Sequence, residues 1–87
     1  MNTLCKLILE HLYKAGKYSV ADAVLFIELR EMTSPRSTDL DWKNATKLLL
    51  KGKLIAEDRD ELTNEKMFYI TKAGQIVHRR RNEEQGT

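Results

Sequence analysis

The chain predicts a mainly α fold with a small β-hairpin: a three-helix core, a two-stranded antiparallel hairpin and a short C-terminal helix. Three observations carry this prediction. Apolar residues recur at helical spacing in three successive segments, each with its own capping signal. Leu54 to Glu57 and Met67 to Ile70 are short runs rich in branched and aromatic side chains, and the polar loop Asp58 to Lys66 separates them. At 87 residues the chain holds one small core and no more. Residues 1–81 are therefore read as one domain, and residues 82–87, where apolar side chains cease, as a frayed tail.

The first helix is expected over Thr3 to Ala15, where Leu4, Leu7, Ile8 and Leu12 share one face. Asn2 or Thr3 can cap its start, and Gly16 falls where a left-handed residue would end it. The second helix, to about Glu31, begins with Ser19-Val20-Ala21-Asp22, which has the spacing of a capping box. Its Val20, Val24 and Ile27 lie on one side and Leu25, Phe26 and Leu29 toward the other, so its apolar surface exceeds what one core contact needs. Thr33 to Ser37 breaks the pattern, because the residue before Pro35 disfavours helical backbone. Thr38 and Asp41 then form a second capping box, followed by a stripe of Trp42, Ala45, Leu48 and Leu49 and a stop at Gly52. After the hairpin, Thr71 can cap a final helix from Lys72 to about Glu84, with Ala73, Ile76 and Val77 facing inward.

Composition excludes several classes of protein. A chain that is 41% hydrophobic and 32% charged, with one proline, is that of a folded domain. Cys5 is the only cysteine, so no internal disulfide forms, and a reducing, cytoplasmic setting is expected. On the shoulder of the first stripe Cys5 reads as a small hydrophobe. No apolar run is long enough for a membrane span, and Lys6 and Glu10 interrupt the amino terminus before a signal sequence could develop. His11 and His78 stand far apart, Cys5 lacks a second ligand at zinc spacing, and neither a phosphate loop nor a nucleophile elbow occurs. The expectation is therefore of no enzyme, metal or cofactor.

Charge is distributed unevenly along the chain. Residues 36–56 carry five basic and two acidic groups, residues 57–69 two basic and five acidic, and residues 70–87 four basic and two acidic. Positive charge gathers on the third helix and on Arg79-Arg80-Arg81, whereas the hairpin loop is acidic. The exposed side of the third helix carries Lys43, Asn44, Lys47 and Lys51, joined by Asp39 and Leu50. An asparagine can bond adenine at two atoms and a lysine can donate to guanine, while Arg36 and Thr38, just before the helix, can meet a phosphate at its positive end.

Two local patterns resemble the winged helix-turn-helix proteins, in particular small regulators related to the multiple-antibiotic-resistance and phenolic-acid-response repressors. One is Leu48-Leu49-Leu50-Lys51-Gly52-Lys53-Leu54-Ile55, a helix ending in glycine and entering a strand. The other is Tyr69-Ile70-Thr71-Lys72-Ala73-Gly74-Gln75-Ile76-Val77, a strand passing through threonine and glycine into a helix. The resemblance spans about Thr3 to Arg79. It implies a third helix that enters the major groove of duplex DNA, a hairpin or wing that touches the backbone, and a homodimer. On that basis Arg36, Thr38, Lys43, Asn44, Lys47, Lys51 and Arg59 are the expected DNA contacts, and Leu4, Cys5, Phe26, Leu29, Ile76 and Val77 the expected dimer or partner surface. The wing departs from the pattern, since Asp58, Asp60, Glu61 and Glu65 would repel phosphates. The competing expectation is a winged helix that binds a protein partner, as an adaptor, antagonist or subunit, and not DNA.

Overall fold

In the computed structural model, which describes residues 2–85, helix α1 (Thr3–Ala15) forms over the predicted span. The Asn2 side-chain oxygen accepts the amide of Cys5 at 2.8 Å. At the other end Gly16 takes a φ of 65° and donates its N–H to the carbonyls of Leu12 and Tyr13. Leu4, Cys5, Ile8, Leu9 and Leu12 are buried and Leu7 half-buried. The buried arc is wider than the single stripe because α1 is the central element, packed against three helices and the sheet.

Between α1 and helix α2 (Asp22–Arg30) the structure inserts a strand that the sequence did not announce, β1 (Val20–Ala21). The Ser19–Asp22 capping box does not form. Val20 and Ala21 pair antiparallel with Phe68 and Met67, so the backbone stays extended and Ala21 becomes an N-cap with no side-chain bond. Freed from capping, Asp22 accepts the indole N–H of Trp42 at 2.7 Å and ties the start of α2 to the next helix. Leu25 and Leu29 enter the core, and Phe26 lies half-buried against Trp42, with ring centroids 5.1 Å apart, beneath the Arg30 guanidinium. Val24 and Ile27 (64% exposed) face solvent, so the excess apolar surface of α2 rests on these two and not on Phe26.

Helix α3 (Asp39–Lys51) begins with the predicted capping box: Thr38 Oγ1 accepts the Asp41 amide at 3.1 Å, and the Asp41 carboxylate accepts the Thr38 amide at 2.9 Å. The Thr38 backbone N–H, then its hydroxyl, hold the Asp41 carboxyl below its ordinary value. A lowered native pKa stabilises above the unfolded value, and the contribution is lost as pH falls through the native one. Asp41→Asn is accordingly expected to flatten the acid limb of a stability–pH profile while leaving its neutral shape unchanged, as chemical denaturation across pH would report.

The buried stripe of α3 is Trp42, Ala45, Thr46 and Leu49; Leu48, expected inside, is 58% exposed. The spacing i, i+3, i+4, i+7 from Trp42 selects Thr46 and Leu49 and turns Leu48 away. Thr46 satisfies its hydroxyl by donating to the Trp42 carbonyl at 3.0 Å. At the C-terminus Gly52 remains right-handed, and Lys53 takes the left-handed position with φ 59°. The amides of Leu54 and Lys53 bond the carbonyls of Leu49 and Leu50, both at 3.0 Å, the pairing of a Schellman motif. A β-carbon at this φ is disfavoured. Lys53→Gly should therefore stabilise the domain by about 0.5–1 kcal/mol, read as a raised thermal midpoint.

Strands β2 (Ile55–Arg59) and β3 (Lys66–Ile70) pair antiparallel with Ile55 opposite Ile70 and Arg59 opposite Lys66, giving a three-stranded sheet in the order β1-β3-β2. Ile55, Phe68 and Ile70 close the core. Helix α4 (Lys72–Gln85) follows at once. Thr71 Oγ1 accepts the Gly74 amide at 3.0 Å and lies within hydrogen-bond distance of the Lys53 and Leu54 carbonyls, to which it donates, while the Thr71 amide donates to Leu54 at 3.1 Å. The threonine–glycine pattern thus clamps α4 onto the turn before β2. Its inner face runs through Gly74, Val77, His78 and Arg81, at i, i+3, i+4 and i+7, whereas Ala73 and Ile76, expected inside, are exposed. Close approach at Gly74 sets that rotation. His78 stacks on Tyr13, with centroids 4.4 Å apart. The helical backbone holds beyond Asn82 to Gln85; Gly86 and Thr87 of the expected tail lie outside the described residues. Among the described residues no helix is long and apolar enough to cross a membrane.

Candidate functional site

Three of the residues singled out on the third helix share one side of it. Lys43, Lys47 and Lys51 recur every fourth residue of α3 and line an open groove of about 570 Å³, together with Thr46 and Leu50. The opposite wall is Lys66, the first residue of β3. Four ammonium groups therefore surround a floor that is partly apolar. Among the described residues the only ion pair in the groove is Lys66 with Glu57, at 3.7 Å, and no carboxylate engages Lys43, Lys47 or Lys51. Leu50, half-buried, lines the same groove.

Lys66 was not among the expected contacts. It lies in the acidic segment, fifteen residues beyond Lys51, and no local period links the two. Only the strand register, which sets Lys66 opposite Arg59, brings it beside the helix.

The other expected contacts are placed differently. Asn44 is exposed but lines a separate depression with Asn2, Thr3 and Asp41, on the flank toward α1. The Thr38 hydroxyl is engaged in its cap. Arg36 forms an ion pair with Glu31. Arg59 donates from its guanidinium to the Asn64 carbonyl at 3.0 Å, closing the hairpin loop. Trp42, at 4% exposure, offers no stacking platform.

Of the expected interface residues, Leu4, Cys5 and Leu29 belong to the core of the protein itself, a correction that follows from the central position of α1. Burial pushes the Cys5 thiol above its ordinary pKa, and its S–H lies 3.7 Å from the Ala45 carbonyl. Phe26 and Val77 are half-buried against the core, which leaves Ile76 as the exposed member of that set.

The loop beyond the groove is ordered by its own side chains. Asp60 accepts the amides of Leu62 and Thr63 at 2.8 and 3.2 Å, the Asp60 amide donates to the Glu65 carbonyl at 3.0 Å, and Asn64 adopts φ 61°. This scaffold presents Leu62, 96% exposed, between the exposed carboxylates of Glu61 and Glu65.

Elsewhere, His11 meets Glu28 at 3.3 Å across α1 and α2. Among the described residues no group of three or more His, Cys, Asp or Glu side chains converges as a metal site would require. Compared with family models, curated proteins and solved structures, the chain matches none.

Proposed function

We propose that the chain is a small winged-helix protein of the cytoplasm that binds duplex DNA through α3 and acts in transcriptional regulation, with two copies presenting their α3 helices to successive turns of the duplex. The four-lysine groove is the observation that carries this reading. Cations every fourth residue on one side of a helix, faced across the groove by Lys66 of the hairpin, suit the phosphates of a duplex backbone. The element order supports it as well: helix, short strand, helix, helix and hairpin, with the short strand pairing to the second hairpin strand, is the order expected of a winged helix. Exposed Ile76 on α4 suits a homodimer contact.

A second reading, in which the domain binds a protein partner and no DNA, draws on exposed Val24 and Ile27 and on the acidic loop. Fluorescence anisotropy of a labelled mixed-sequence duplex, titrated at stepped salt, separates the two. The DNA reading expects log affinity to fall linearly with log salt, with a slope of about −3 to −4 for four neutralised phosphates. Absence of binding at low salt, or binding indifferent to salt, overturns it. In the same assay Glu57→Gln frees Lys66 and should tighten binding by roughly two- to fivefold, the range of one surface ion pair.

A further inference from the structure

The groove and the acidic loop are neighbours: Lys66 forms one wall of the groove, and the loop of residues 60–65 ends immediately before it. A positive patch, Lys43, Lys47 and Lys51, is therefore joined through Lys66 to a negative, exposed loop that includes Glu61 and Glu65. An arrangement of this kind is self-complementary under a two-fold axis between the patches, because rotation lays each positive area on the other copy's negative one.

We infer that a second copy of this chain occupies the groove, each molecule seating its Glu61-Leu62 loop tip between the lysines of the other in a closed, isologous pair. Two further observations favour this occupant. The loop is held in shape by the bonds to Asp60 and by the Arg59 contact with Asn64, so little order must be gained on docking. Leu62, exposed between carboxylates, also matches the mixed character of the groove, whose lysines surround the half-buried Leu50. A cationic rim over an apolar floor receives an acidic rim around an apolar tip.

The pair covers the surface assigned above to DNA, so duplex and second copy compete and each weakens the other by the same factor. That competition rests on the DNA reading; the self-association does not. Its test uses no nucleic acid. Sedimentation of the wild-type chain at low salt should show a concentration-dependent association that reverses as salt is raised, which distinguishes it from a salt-insensitive apolar contact at Ile76. Lys43→Glu with Lys47→Glu, and separately Glu61→Lys with Glu65→Lys, should each weaken self-association at least about tenfold by placing like charges together. An equimolar mixture of the two variants should associate again, since loop and groove are then opposite in sign at both contacts.

All these substitutions are at exposed positions, and unchanged Trp42 emission would verify the fold. A wild-type association state that does not change with salt, a groove variant that associates like the wild type, or a mixture that associates no more than either variant alone each overturns the inference. Failure of duplex binding alone would overturn the DNA reading and leave this pairing standing.

Discussion

Replacing Gly74 with alanine is expected to lower the thermal midpoint by roughly 8–16 °C, the largest loss of stability foreseen for any single methyl group added to this chain. A β-carbon there would lie 2.0 Å from the Leu54 carbonyl oxygen and 2.8 Å from Ile70 Cγ1. The first neighbour is backbone and cannot swing aside, for that same carbonyl accepts the Thr71 amide. Alanine gains about 1 kcal/mol of helix propensity over glycine, but forcing α4 off the turn costs about 3 kcal/mol or more. A domain of this size shifts by about 4–8 °C per kcal/mol, which gives the stated range for a net loss of about 2 kcal/mol.

Circular dichroism on heating makes the measurement, with Gly52→Ala as the comparison. At Gly52 the added carbon would meet the Leu48 carbonyl at 3.4 Å and Leu54 Cγ at 3.7 Å, nearly ordinary contact distances. That variant should stay within about 0.5 kcal/mol of wild type. Equal midpoints for the two variants would mean that α4 does not dock against the Leu54 turn.

The second large effect concerns binding. Lys43→Ala, Lys47→Ala and Lys66→Ala combined should reduce duplex affinity by roughly 10- to 100-fold at moderate salt and make the salt slope shallower by about 2.7, close to 0.9 for each lost phosphate contact. Stability should change little, because each lysine is exposed and only Lys66 has an ion partner, at 3.7 Å. Asn44→Ala removes no charge and should leave the slope as it is. Arg36→Ala is expected to have a smaller effect than any groove lysine, since Arg36 already engages Glu31. A triple-lysine variant with wild-type affinity and slope would remove the groove from the proposal and favour the protein-partner reading.

Much of the helical architecture was legible in the residues because its causes are local. Asn2, Gly16 and the Thr38–Asp41 pair act within one turn of the backbone, so the caps follow from spacing alone. The lysines every fourth residue of α3 could likewise be assigned to one exposed side without a partner in view. Errors arose where a local signal met a distant one. Ser19 and Asp22 have capping-box spacing, but pairing of Val20 with Phe68, across almost fifty residues, kept the segment extended. Leu48 reads as core by composition, and Leu4, Cys5 and Leu29 as surface to share, until α1 is seen packed against three helices and the sheet.

By itself, then, the sequence determined where α1, α3 and α4 begin and end, which hairpin segments pair, and the cationic character of α3, because period, caps and charge are properties of neighbours in the chain. Tertiary structure alone decided the third strand, the rotation of α4 about Gly74 and the arrival of Lys66 opposite the α3 lysines. Those outcomes depend on strand register and close backbone approach between segments far apart in the chain, and no short-range pattern encodes either.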